Sequence, residues 1–263
     1  MNAAALASTE AGPDAQDRFR YVLRLADANL ILAQRLGELV GHAPALEEDL
    51  GLANIGLDLL GQARLLLAYA GAIEGKGRTE DMLAFLREHR DFVNPILVEQ
   101  PNGDFGQTIV RQFLIDAWQF ELYERLIESR DSRLAEIAGK ALKETRYHLR
   151  YSANWVIRLG DGTQESHERA QRALDQLWPL TMELFDPDET DEAMMRAGVA
   201  PDNAAIRAGW NRRMDEVLAE ATLQRPADKP YLWYGKRGDH SEHLGHLLAP
   251  MQHLQRTYPG ANW

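Results

Sequence analysis

Four stretches of the chain, each about 25 residues long, repeat apolar side chains every three or four positions, and strand-like alternation is missing. That period restricts the fold more than any other feature. Long amphipathic helices joined by short turns bury their stripes by packing side by side, as a bundle. The expected class is all-α: a four-helix bundle core with additional C-terminal helices. The first helix is expected from about Gln16 to Val40, and the second from about Ala45 to Ile73. A shorter one follows the cap Thr79 and ends near Arg90. The segment DFVNPILVEQPNGDF, with two prolines and Asn-Gly, reads as a structured connection. Asp104 and Asp131 read as caps of the next two long helices, which end near Ser129 and Gly160. A helix from Thr163 to about Phe185, short pieces around 187–197, a helix from Pro201-Asp202 to about Leu223, and a last helix over Ser241 to Thr257 complete the prediction. Residues 1–16 read as a disordered arm, and 17–263 as one domain.

The net charge of −11 argues against nucleic acid, which needs a basic face. With no cysteine, disulfides, thiolate metal sites and cysteine nucleophiles are excluded. No run reaches the roughly 18 consecutive apolar residues of a membrane helix. The start MNAAALASTEAGPDAQD lacks a basic, apolar leader pattern, so the expected location is cytoplasmic, away from membranes. No phosphate loop, dinucleotide fingerprint or Gly-x-Ser-x-Gly elbow is present.

The informative residues are polar ones on apolar seams. Asn29 lies within Val22, Leu25, Leu32, Leu36 and Leu39. The second helix, LANIGLDLLGQARLLL, is apolar nearly all round and is expected at the centre, with Asp58 buried in a narrow stripe of Asn54, Asp58 and Gln62. Asp116 falls between Phe113 and Phe120. Glu144 and His148 share a stripe with Ile137, Ala141, Tyr151 and Trp155.

Inward acids on several helices match the di-iron carboxylate plan, with one Glu from each of two helices and Glu-x-x-His from each of the others. Here the corresponding positions are Asn29, Asp58-x-x-Gly61, Asp116 and Glu144-x-x-Tyr147, with His148 one residue late. Glu-x-x-His is absent throughout, and two irons need roughly six protein ligands. Two readings follow. In one, these are core polar groups satisfying one another, with Arg64, Arg111, Arg146 or Gln62 as partners. In the other, Asp58, Asp116, Glu144 and His148 form an unorthodox di-metal oxidase or oxygenase site.

The segments LANIGLDLLGQARLLL, VEQPNGDFGQTIVRQFLIDAW, KETRYHLRYSANWVIRLGDGT and HSEHLGHLLAPMQHLQRTYPGANW resemble the structural C subunits of ring-1,2-phenylacetyl-CoA epoxidases, a ferritin-like family. The likeness runs from about Tyr21 to Trp263. It implies a non-catalytic subunit of phenylacetate breakdown with a degenerate metal site and no cofactor of its own. It also implies pairing with a di-iron catalytic A subunit, bridging by a small B subunit, and electrons from NADPH through a flavin and iron–sulfur reductase. Exposed partner surface predicts a homodimer when the chain is alone.

Two further clusters carry alternatives. His240, His243 and His246, near Asp239 and Glu242, read as a metal site or as a capped helix start. The loop from Lys229 to Arg237, with Tyr231, Trp233, Tyr234 and Lys236, reads as a coenzyme A phosphate or partner contact, or as a packed aromatic loop. The acid-rich pieces Glu47 to Asp49 and Asp186 to Glu192 read as helix starts and solvated faces.

Overall fold

The computed structural model describes residues 13–229 and 234–261. Its helices are α1 (Pro13–Leu39), α2 (Leu46–Glu74), α3 (Glu80–Phe85), α4 (Ile96–Glu99), α5 (Phe105–Leu126), α6 (Ser132–Gly160), α7 (Gln164–Leu177), α8 (Glu189–Arg196), α9 (Asn203–Glu220) and α10 (Glu242–Thr257). The first helix starts ahead of the predicted Gln16; residues 1–12 of the expected arm lie outside the described residues.

Helix starts follow the sequence closely because their caps are local. Thr79, Asp104, Asp131, Thr163, Asp188 and Asp202 each accept a backbone N–H of the following turn. Two ends differ from expectation. The helix expected to reach Phe185 stops at Leu177 and tightens into a 3-10 turn, Trp178–Leu184, where Pro179 has no N–H for an α-helical bond. The short helix stops at Phe85 rather than Arg90. Arg87 folds back onto the Leu83 carbonyl, and a separate 3-10 turn forms over His89–Asp91.

α1 packs along α2, and α5 along α6. The two pairs close a four-helix core through α2 against α6 and through side-chain bonds from α1 to α5. α7 and α9 cover α5 and α6, α8 packs on α1, and α10 covers α3 and α4. α9 approaches α5 closely at Gly209, where a Cβ would lie 1.8 Å from Glu121 Oε2. Buried Glu121 is clamped there by Arg125 and Arg213.

The central helix is α5, and not α2 as predicted: eighteen residues of α5 are buried, on every side. α2 is long and apolar enough by length and composition to cross a membrane. Here its inner face, with Leu52, Ile55, Leu59, Ala63 and Leu66, is packed in the core. Its outer face leaves Leu46, Leu50 and Leu57 more than half exposed and Leu60 exposed beside them. Composition could not separate a buried apolar face from an uncovered one.

Candidate functional site

The seam residues from α1, α5 and α6 do converge. Asn29 donates through Nδ2 to the Tyr123 hydroxyl at 2.9 Å and accepts from Gln119 Nε2 at 2.5 Å. One turn along α5, Asp116 is fully buried and accepts from Gln112 Nε2 and from Ser152 Oγ, both at 2.7 Å. These donors are neutral, and burial pushes the Asp116 carboxyl up to about 6, against the pull of His148, Ser152 and Gln112. Burial likewise pushes the Tyr123 phenol up to about 12.

At the α2–α6 margin the contacts are separate pairs. His148 is fully buried, and its Nε2 lies 3.0 Å from Asp58 Oδ2. The Asp58 side chain is 41% exposed, which corrects the expectation that it is buried: its helix turns this edge outward. Gln62 donates to Glu144 Oε2 at 3.0 Å. Of the four predicted polar partners, Gln62 alone serves these acids. Arg64 reaches Glu80, Arg111 binds the Gln100 carbonyl and Asn102 Oδ1, and Arg146 lies over Phe120. Tyr147, which holds the position of the imidazole in the di-iron plan, points outward instead, because it lies one position off the face that carries buried His148. A Cβ at Gly61 would meet nothing within 4 Å, so packing does not require glycine there.

The positions Asn29, Asp58, Asp116, Glu144 and His148 therefore occupy one region of the bundle. Among the described residues, no group of three or more His, Asp or Glu side chains is arranged to hold a metal ion. The Nδ1 atom of His148 and the Oε1 atoms of Gln62, Gln112 and Gln119 are buried without a hydrogen-bond partner among the described residues.

A second polar region joins pieces that the sequence reading took separately, the connection after residue 90, His240 and Lys236. It fastens residues 87–104, the connection between α3 and α5. Arg87 and Asp27 form a fully buried pair, with Nη1 2.9 Å from Oδ2, and Asp27 also accepts the Val93 N–H at 3.0 Å. Glu99, fully buried, accepts from Asn94 Nδ2 at 3.2 Å and from the Ser241 N–H at 2.7 Å, and it faces His240 Nδ1 at 3.0 Å. His240 Nε2 meets the Phe92 carbonyl at 2.8 Å. Both ring nitrogens face acceptors, a pattern only imidazolium satisfies. Burial works against that charge, but Glu99, with the Phe92 carbonyl and Glu183 adding to it, raises the His240 pKa above the ordinary value. His240 is thus committed to Glu99. His243 bonds through its carbonyl to Arg35, and His246 is exposed, so the histidines do not share a site. The capped helix start is the arrangement found; consecutive i,i+3 steps drift around the helix.

Glu183 holds the same connection through backbone groups. It accepts from Ile96 N–H at 2.9 Å and Lys236 N–H at 2.8 Å, and burial raises its pKa to about 7. Lys236 is buried, with Nζ 3.0 Å from Asp191 and bonded to the Asp186 carbonyl, so it is not free for a phosphate. Asp188 caps α8, so that acidic piece is the expected helix start, and Glu189 and Glu192 are exposed, but Asp191 is buried and takes Arg24 at 3.1 Å. Tyr231 and Trp233 of the aromatic loop lie outside the described residues. The signal that could have found this region is the pairing of Pro95 with acids on either side in a connection too apolar for solvent.

The whole chain, residues 1–263, matches the family model described as phenylacetic acid catabolic protein. The C subunit of the 1,2-phenylacetyl-CoA epoxidase of Escherichia coli (strain K12) is 55% identical over 243 residues, covering 92% of this chain and 98% of that protein. Among solved structures, a Synechococcus protein with aldehyde deformylating oxidase activity superposes with a TM-score of 0.61 at 15% identity, over 81% of this chain and 94% of that one. That likeness carries fold alone, and the fold is the expected ferritin-like bundle. With the family model matched from end to end and a 55% identical relative covered almost completely, this chain belongs to the phenylacetic acid catabolic protein family.

Proposed function

We propose that this chain is the structural subunit of a cytoplasmic 1,2-phenylacetyl-CoA epoxidase and holds a separate di-iron catalytic subunit rather than performing the oxygenation. Its relative at 55% identity is named as the C subunit of that enzyme. The observation that carries the non-catalytic part is the donor set at the bundle centre. The residues do not fit a di-iron centre. Asn29 and Gln119 are amides bonded to each other, both Asp116 oxygens take neutral donors, and Asp58 and Glu144 are tied to different partners. No Glu-x-x-His supplies the imidazoles that such a centre takes from two of its helices.

The exposed leucines of α2, with exposed Tyr147 of α6 beside that helix, support a partner face. A relative of the same fold could cover such a helix side by side, as interfaces between protomers do. A bridging B subunit and a flavin and iron–sulfur reductase using NADPH would complete the system. When the catalytic partner is missing, a second copy of this chain would cover the α2 stripe.

The test is metal analysis of this chain purified from iron-supplemented medium, paired with co-purification with the catalytic subunit. The expected result is near-zero iron in this chain and a stable complex. In that complex, Asp116→Asn and Glu144→Gln are expected to leave epoxidation within about twofold of wild type. Two irons per chain, or loss of turnover in an intact variant complex, would overturn the reading in favour of the di-metal site of Asp58, Asp116, Glu144 and His148.

A further inference from the structure

α6 has a second flank, turned away from α2, that the polar centre does not use. There α5, α6 and α9 enclose a cleft of about 390 Å³. Its floor is apolar: Phe113, Phe120 and Leu149 are all buried. Its walls carry three guanidinium groups, from Arg146, Arg150 and Arg213. Such a volume lies within the range of small-molecule sites, which join an apolar lining to a few placed charges.

The three arginines are not equivalent. Arg213 is spent on buried Glu121, with Nε 2.8 Å from Oε1, and its guanidinium lies 4.3 Å from the centre of the Phe120 ring. Arg146 and Arg150 sit one turn apart on α6 and pair with no carboxylate among the described residues. Their contacts are ring faces, Phe120 for Arg146 at 6.0 Å and Tyr147 for Arg150 at 5.6 Å. Glu216, exposed on the α9 rim, is the one acid of the lining and forms no ion pair among the described residues. Two uncommitted cations therefore stand beside a single rim acid, on a chain whose net charge is −11. Arginines tolerate such a position when a planar or tetrahedral anion completes them.

We propose that this cleft binds a small organic anion with an apolar body: an aryl or short alkyl group ending in a carboxylate, sulfonate or phosphate monoester. The body lies on Ala153 and Val217 and on the edges of Phe120 and Leu149, and the anion reaches Arg146 and Arg150. A free inorganic anion would leave the floor uncovered, and an uncharged hydrocarbon would leave the arginines unanswered. Nothing in the inference depends on the epoxidase reading, because the cleft lies within one chain.

The experiment is fluorescence titration of the full chain, alone, with 8-anilinonaphthalene-1-sulfonate, an apolar body bearing a single anion. Saturable binding is expected, displaced by octyl phosphate and not by inorganic phosphate at the same concentration. The double variant Arg146→Gln/Arg150→Gln, at two exposed surface positions, should bind the dye about tenfold more weakly or worse. N-phenyl-1-naphthylamine, with a similar body and no anion, should bind wild type about as weakly as the sulfonate dye binds the variant. Circular dichroism of the variant checks the fold. Unchanged dye affinity in the double variant would overturn the proposal. So would equal weakening by Arg64→Gln on α2, which reports net charge, or by Leu57→Ser, which would place the dye on the α2 stripe.

Discussion

The bundle centre and the fastening around residues 87–104 are both buried and polar, yet most of their bonds are built from opposite chemistry; Glu183, held by backbone N–H groups, and the Asp58–His148 pair are the exceptions on either side. At the centre, the amides of Asn29, Gln112 and Gln119 do most of the bonding, and Asp116 has only neutral donors. Around the connection, Asp27 is answered by Arg87, Glu99 by His240, and Asp191 by Arg24 and Lys236. The charged region ties together segments far apart in the chain and sets one path for an irregular stretch. Arg35 on the Glu99 carbonyl at 2.7 Å and Asn102 Nδ2 on the Arg35 carbonyl at 2.8 Å add to it. Gly235 shows how tight the fastening is: a Cβ there would lie 2.1 Å from the Asn94 carbonyl oxygen. The difference teaches that buried polarity serves architecture where each charge meets a counter-charge. Where it is held by amides, little binds the side chains to one task.

The strongest way to break this contrast is to remove one member of a buried pair. Arg87→Ala leaves Asp27 charged, buried and short of donors, and should cost about 4 kcal/mol in chemical denaturation. A loss below about 1 kcal/mol would show that the connection is held by packing alone. Next in size is Glu99→Gln, expected to cost about 2–3 kcal/mol, because one amide oxygen cannot serve Ser241, Asn94 and His240 together. Its pH dependence sharpens the point. The folded pKa of His240 is raised, so its contribution is fully present below the ordinary imidazole pKa and is lost as pH rises through the folded value. The variant's deficit should therefore shrink on the alkaline side, and a deficit independent of pH would remove His240 from the explanation.

The smallest effect has the opposite sign. Asp116 titrates near 6 in the folded chain, above the ordinary carboxylate value. Its favourable contribution is intact below about pH 4 and is lost as pH rises through about 6. At pH 8 the buried carboxylate is a burden that Asp116→Asn removes while keeping groups for Gln112 and Ser152. Relative to wild type, the variant should gain on the order of 2 kcal/mol between pH 4 and pH 8, read from urea unfolding. A variant that instead loses stability at pH 8 would mean the centre depends on that charge, as the fastening does on its own.

Much of this is legible in the sequence, for identifiable reasons. Asp104 and Asp131 are readable as caps because a cap bonds within its own first turn. Asn29 and Asp116 are readable as inward because each interrupts an apolar stripe of helical period. Glu99, Asp27 and Glu183 are not. Their partners lie 141, 60 and 53 residues away, at His240, Arg87 and Lys236. In sequence, an acid beside Pro or in a first turn looks the same whether it meets water or a buried cation. Asp58 fails in the other direction, since an apolar helix does not reveal which of its faces lacks a neighbour.

The sequence by itself determined the helices, their caps, the absence of Glu-x-x-His and the polar residues at the seams, all consequences of a 3.6-residue period and of bonds within one turn. Only the tertiary structure decided that α5 and not α2 is central, that the histidines near residue 240 are divided between separate tasks, and that residues 87–104 are held by buried charge. Those outcomes depend on which distant surfaces meet, and burial and counter-charge exist only once they have met.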